Sequence, residues 1–260
     1  MNKHSPTRTP REFLGSSEIT ENIQKIEVFE TLFKDEPGAE FLLPVKMTKQ
    51  SVSRRVIRPG FRTHNVGYFA SRLNQALITF ESSLEKNACT VFESYSKLQS
   101  YRAQPYGVRL FFSDKFRTVY PDFELVLKDG LALVDIRYHN NIDSPKFKAR
   151  YWALQEYCQQ RGIRYTLLTD KEIMTQQRDN ARFLLSLCKG APHPRLLSEV
   201  RAWLLKVLPL SFSAFLKTTF AYPSVRAVIA GFILDGVLSI DWNKPIHLQT
   251  LELPNKGSKG

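Results

Sequence analysis

Residues 118–138, TVYPDFELVLKDGLALVDIRY, constrain the fold more than any other stretch of the chain. Phe123, Leu125 and Leu127, followed by Ala132, Val134 and Ile136, repeat at period two, the pattern of two paired strands. Asp129-Gly130 between them suits a type I′ hairpin turn. A two-residue loop there sets Lys128 opposite Leu131, Asp122 across from Arg137 and Glu124 across from Asp135. Asp122, Glu124, Asp135 and Arg137 then share one face. A loop longer by an even number keeps this convergence, whereas an odd loop sends Asp122 to the face opposite Asp135 and Arg137.

Carboxylates one cross-strand step apart can share a hard divalent cation, because Mg²⁺ is held by one or two carboxylates together with waters and phosphate oxygens. The plain alternative is a solvated polar face on which Asp122 and Arg137 form a surface ion pair. The hairpin alone leaves both open.

The charge distribution points to a polyanionic partner. The formal net charge is +12, and residues 41–80 contain no acid while carrying Lys46, Lys49, Arg54, Arg55, Arg58, Arg62 and Arg72. Phe61, Tyr68 and Phe69 are interleaved with these cations, an arrangement suited to contact with a phosphate backbone. Cys89, Cys158 and Cys188 show no C-x-x-C spacing and read as small core hydrophobes in a reducing compartment. The first residues, MNKHSPTRTPREF, carry no apolar signal-peptide core, and no run is long enough to span a bilayer, so the expected location is cytoplasmic, with no membrane partner.

Along the chain, residues 1–17 are polar and read as disordered, and residues 18–33 place Ile19, Ile23, Ile26, Phe29 and Phe33 at helical spacing in a short acidic amphipathic helix. Residues 79–95 form another helical stripe from Phe80, Leu84, Ala88, Val91 and Tyr95. Glu85 has two readings there: the last member of a Ser82-x-x-Glu85 capping box, or a carboxylate reaching the acidic face of the hairpin. VRLFF, residues 108–112, reads as a strand preceded by Gln104-Pro105. Ser144-Pro145 opens a helix with the stripe Phe147, Tyr151, Leu154 and Cys158, ending at Gly162. Residues 163–169 read as a strand, and Thr169 to Glu172 as a capping box. The order helix, strand, hairpin, helix, strand predicts an α/β core with a mixed sheet flanked by helices.

Residues 54–173 resemble the N-terminal domain of TnsA, the endonuclease subunit of heteromeric cut-and-paste transposases, with a CRISPR-associated transposon as one source. The resemblance rests on the basic run from Arg54, Gly67-Tyr68-Phe69 and Ser71, Glu81-Ser82-Ser83-Leu84-Glu85, Gln104-Pro105, Tyr120-Pro121-Asp122-Phe123 and Asp135-Ile136-Arg137. It implies a restriction-endonuclease-like fold in which Glu85 is the helical carboxylate, Asp122 the central metal ligand and Asp135 the second strand ligand. One or two Mg²⁺ ions are implied, with Mn²⁺ able to substitute. The family pattern usually has Lys where this chain has Arg137. Arginine keeps a positive charge beside a phosphate but cannot act as a base. Three possibilities follow: Arg137 suffices, Lys146 or Lys148 reaches in from the next helix, or the nuclease is impaired and kept for assembly. By the same resemblance the chain nicks double-stranded DNA at transposon ends on a bacterial nucleoid, together with a recombinase-type transposase subunit and an AAA+ ATPase. DNA contacts are expected from Arg54, Arg55, Arg58, Arg62, Arg72, Gln104, Lys146 and Lys148.

The C-terminal third changes character, with expected helices over residues 178–188, 194–208, 212–220 and 224–234, then β segments near 237–242 and 246–251. Three helices followed by a hairpin resemble a winged helix. The last of these helices, SVRAVIAGFILDG, has Arg226 as its only basic residue among Val225, Val228, Ile229, Phe232 and Ile233, which favours protein docking over base readout. The expected organisation is an extension over residues 1–45, a nuclease domain over 46–173 and a mainly helical winged-helix-like docking domain over 174–260. Removing residues 178–260 is expected to abolish ATPase binding and leave the nuclease domain folded. A non-catalytic DNA-binding assembly subunit and a stand-alone restriction or repair nuclease are the alternative functions.

Overall fold

The computed structural model of the protein describes residues 65–112, 115–188, 192–218 and 221–254. The amphipathic helix expected over residues 18–33, and Arg54, Arg55, Arg58 and Arg62, lie outside the described residues.

The order of elements is β1 (Gly67–Ser71), β2 (Ala76–Phe80), α1 (Ser83–Phe92), β3 (Leu98–Ala103), β4 (Val108–Phe112), β5 (Lys115–Val119), β6 (Phe123–Leu127), β7 (Gly130–Arg137), α2 (Pro145–Gln160), β8 (Arg164–Thr169) and α3 (Asp170–Ile173). The C-terminal part adds α4 (Gln176–Leu187), α5 (Pro194–Val207), β9 (Leu210–Ser211), α6 (Phe212–Leu216), α7 (Pro223–Leu234) and β10 (Thr250–Leu251).

The central sheet has the order β3-β6-β7-β8. The first two pairings are antiparallel and β7 to β8 is parallel, the crossover being made by α2, so the sheet is mixed as expected. VRLFF is not one of its strands: β4 pairs with β5 in a separate hairpin, and the edge position beside β6 belongs to LQSYRA, β3. The helix expected from Thr79 begins later. ALITF pairs with β1, and Ser82 caps α1 by accepting from the Glu85 N–H, so Phe80 is a strand residue.

Period two along β6 and β7 sorts side chains onto two differently covered faces. Phe123, Leu125, Ala132, Val134 and Ile136 pack with Leu84, Ala88, Cys89 and Phe92 of α1 and with Ile173 of α3. Phe92 meets Phe123 and Tyr101 edge-on, both with ring centroids at 5.3 Å. On the other face Leu133 joins Ala153, Leu154 and Cys158 of α2, Tyr165 of β8 and Val108, Leu110 and Val119 of the β4–β5 hairpin. Cys89 and Cys158 are free thiols buried in these two cores.

A further core gathers Leu184, Val200, Leu204, Phe212, Phe215, Val225, Val228, Ile229, Ile233 and Leu251. The expected β segments do not form one hairpin. β10 pairs with β9, which precedes α6, and Ser239 bridges Glu252. Among the described residues, no helix is long and apolar enough to cross a membrane.

Candidate active site

The hairpin turn lies one residue earlier than Asp129-Gly130. Leu127 pairs with Gly130 and Phe123 with Val134, leaving Lys128-Asp129 as the loop. A type I′ turn needs positive φ at both central residues. Among the described residues the only non-glycines with positive φ are Gln75 and Gln104, and the positive φ here, 135°, belongs to Gly130 at the start of β7. The register therefore shifts by two residues. Continued one step beyond Phe123, it puts Asp122 across from Asp135, while Glu124 pairs with Leu133. An even shift preserves the faces, so the acids stay together even though their expected partners change.

Each carboxylate on this face meets an arginine. Asp122 Oδ2 accepts the Ile136 N–H at 2.7 Å and the Arg137 guanidinium at 2.7 Å. Glu124 pairs with Arg102, its neighbour on β3, at 2.5 Å. Asp135, fully buried, is clasped by both terminal nitrogens of Arg150, Oδ1 at 2.9 Å, and accepts the Tyr165 hydroxyl at 2.6 Å.

Burial, followed by the charge of Asp135, pushes the Asp122 carboxyl up to about 7, against the opposing pull of Arg137 and the Ile136 N–H. Burial also raises Tyr165 well above the usual phenol range, and the neighbouring Asp135 charge adds to it.

Glu85 performs the capping duty that its spacing allows: its carboxylate accepts the Glu81 N–H at 2.8 Å and the Ser82 hydroxyl at 3.0 Å. It is also within the field of the site. Burial raises its pKa, the hydrogen bonds from Glu81 and Ser82 oppose this, and Asp122 and Arg137 interact electrostatically with it. The contacts of Glu85 are those of the cap, and its link to the acidic face is through charge rather than a hydrogen bond.

Gln104 is drawn to the same corner through its backbone, donating its N–H to the Asp122 carbonyl at 2.8 Å. Its φ of 43° is a left-handed conformation that costs a non-glycine residue energy and that recurs at functional sites. Lys146 is exposed, and Lys148 reaches Asp143 at 3.6 Å. Arg72 pairs with Asp235 of the C-terminal part at 2.6 Å.

Arg150 and Tyr165 are the participants that sequence reading missed. The signal was present: Arg150 is one helical turn before Leu154 and two before Cys158, on the stripe α2 turns to the sheet, where an arginine needs a partner. Tyr165 pairs with Leu133, two residues before Asp135, but that parallel register is set only once α2 has crossed over.

Among the described residues, no group of three or more His, Cys, Asp or Glu side chains converges closely enough to hold a metal ion. The Asp122–Asp135 pair by itself still fits a hard divalent cation. It offers oxygen donors only, in the number of carboxylates Mg²⁺ uses. No protein-family model matches the chain, and comparison with curated proteins finds no match.

Proposed function

We propose that the chain is a metal-dependent DNA endonuclease subunit of a heteromeric transposase, of the TnsA type that its sequence resembles. It would hydrolyse a phosphodiester bond at transposon ends, with a recombinase-type subunit and an AAA+ ATPase as partners. The observation that carries this reading is the meeting of Asp122 and Asp135 on adjacent strands, with Arg137 bonded to one and Glu85 within the same field. Asp122 and Asp135 would hold Mg²⁺, or Mn²⁺ in its place, with Glu85 beside them. Bound there, the metal would lower the pKa of an attacking water and neutralise charge on the reacting phosphate. Arg137, partly exposed and already at the acids, would stabilise the developing anion; it would not take a proton.

The C-terminal part supports a winged-helix-like reading through its topology. β9, between α5 and α6, pairs with the last strand, β10, and Glu252 just beyond β10 bridges Ser239 after α7. Val225, Val228, Ile229, Ala230 and Ile233 of α7 are buried, and the Arg226 guanidinium donates to the Ala221 carbonyl at 2.8 Å. That leaves α7 little to offer base edges and supports docking to a protein partner.

A second reading, a non-catalytic DNA-binding assembly subunit, is favoured by the pairing of Asp122, Glu124 and Asp135 each with its own arginine. Cleavage of DNA carrying transposon ends in Mg²⁺, by the wild-type chain with its recombinase and by Asp122→Ala, Asp135→Ala and Arg137→Lys, separates the two. The nuclease reading expects both Asp variants to lose cutting and Arg137→Lys to retain or raise it. Undiminished cutting by both Asp variants excludes this site.

A further inference from the structure

The fork of Arg150 occupies the carboxylate oxygens of Asp135 that would have to bind a cation. Its two terminal nitrogens hold both carboxylate oxygens, and one of them also donates to the Tyr120 carbonyl at 2.9 Å, two residues before Asp122. Arg150 thus ties the entry of β6 to β7 at the point where the two acids face each other. A guanidinium cannot be neutralised at any ordinary pH, so Asp135 is released only by displacing Arg150, not by titrating it. A phosphate can do this, since it accepts the same two parallel hydrogen bonds from the same fork. The Arg150 side chain is 17% exposed whereas Asp135 is 0% exposed, so of the pair it is the arginine that reaches solvent.

We propose that Arg150 is a positioning residue that stands in for the metal in the free protein, and that a DNA phosphate draws it away so that Asp135 can join Asp122 in holding the cation. The inference rests on the metal-dependent nuclease reading. It adds an order of events: metal affinity at this site is low until nucleic acid is bound.

The test measures Mn²⁺ binding to the full chain by calorimetry, with and without a short duplex of arbitrary sequence, since backbone contact is sequence-independent. Arg150→Gln is expected to bind Mn²⁺ about tenfold tighter or more than wild type without DNA, and Asp135→Asn added to it to abolish the gain. Simple outer-shell support by Arg150 gives the opposite sign, a loss of ~10–100-fold. The duplex is expected to raise Mn²⁺ affinity in wild type and to add little in Arg150→Gln.

Arg150→Lys keeps a charge without the fork and is expected to bind Mn²⁺ with intermediate affinity; it supplies the answer if Arg150→Gln fails to fold. Equal or weaker Mn²⁺ binding by both Arg150 variants, beside Asp122-dependent binding in wild type, overturns the gate and leaves the nuclease reading standing. An equal gain from duplex in wild type and Arg150→Gln overturns displacement by phosphate. Absence of Mn²⁺ binding in every variant, with or without duplex, overturns both.

Discussion

At the scale of single residues, Asp122 is the group whose environment carries the most information. Burial and the facing Asp135 push its carboxyl up to about 7, from an ordinary value near 4. Between those values the folded protein holds a proton that the unfolded chain releases. Asp122 therefore lowers stability as pH rises through this window, and its effect levels off above about 7. Asp122→Asn removes the effect while keeping an oxygen for the Ile136 N–H. Urea midpoints measured from acid to mildly alkaline pH should show the variant gaining on wild type as pH rises toward neutrality, then holding a constant difference. A difference that does not change with pH assigns Asp122 an ordinary carboxylate.

At the scale of elements, the β6–β7 hairpin shows which parts of a pattern are robust. Alternation of Phe123, Leu125 and Leu127 with Ala132, Val134 and Ile136 made the acidic face legible, because the apolar set has one core to enter. The register was not legible, because Lys128-Asp129 and Asp129-Gly130 are both two-residue loops compatible with that alternation. The structure uses the first and leaves Gly130 to take φ 135°. Nothing surrounds the position of a Cβ at Gly130, so Gly130→Ala tests the backbone alone. It should cost about 1–3 kcal/mol, read as a fall in urea midpoint. No loss would mean that the turn can revert to the other loop. β3 and β5 were missed for a related reason. Short strands of mixed polarity, such as LQSYRA and KFRTV, carry little periodic signal and become strands only where a neighbour offers an open edge.

At the scale of the whole molecule, the C-terminal part rests on the helix that carries Glu85. α1 packs on α4; Arg182 reaches Asn87 at 3.3 Å, Gln177 reaches Ser94 at 3.0 Å, and Arg72 pairs with Asp235. The Arg72–Asp235 pair is half-exposed and of a kind worth about 0–1 kcal/mol, so the helix packing outweighs it. Arg72→Ala should leave the thermal midpoint almost unmoved. Removal of residues 178–260 should lower it clearly, because α1 loses its cover. Equal midpoints for the truncated and full chains would show that the sheet part is independent. Charge acts at the same scale. Neutralising Arg54, Arg55, Arg58 and Arg62 should weaken DNA binding and flatten its salt dependence, each lost phosphate contact reducing the slope by roughly 0.9. An unchanged slope assigns that segment to protein contacts.

The sequence by itself determined that, with an even-numbered turn, Asp122, Asp135 and Arg137 share a face, that Ser82 and Glu85 are spaced for a capping box, and that the sheet is mixed. These follow from local periodicity, from a cap and from the order of elements, none of which needs distant partners to be known. Only the tertiary structure decided that Asp122 faces Asp135 and that Arg150 and Tyr165 close on Asp135. It also decided that α1, whose apolar side lies in the core under the sheet, packs against α4 of the C-terminal part. Those outcomes depend on a turn choice with two near-equivalent solutions and on a crossover helix whose face is set by the sheet it covers.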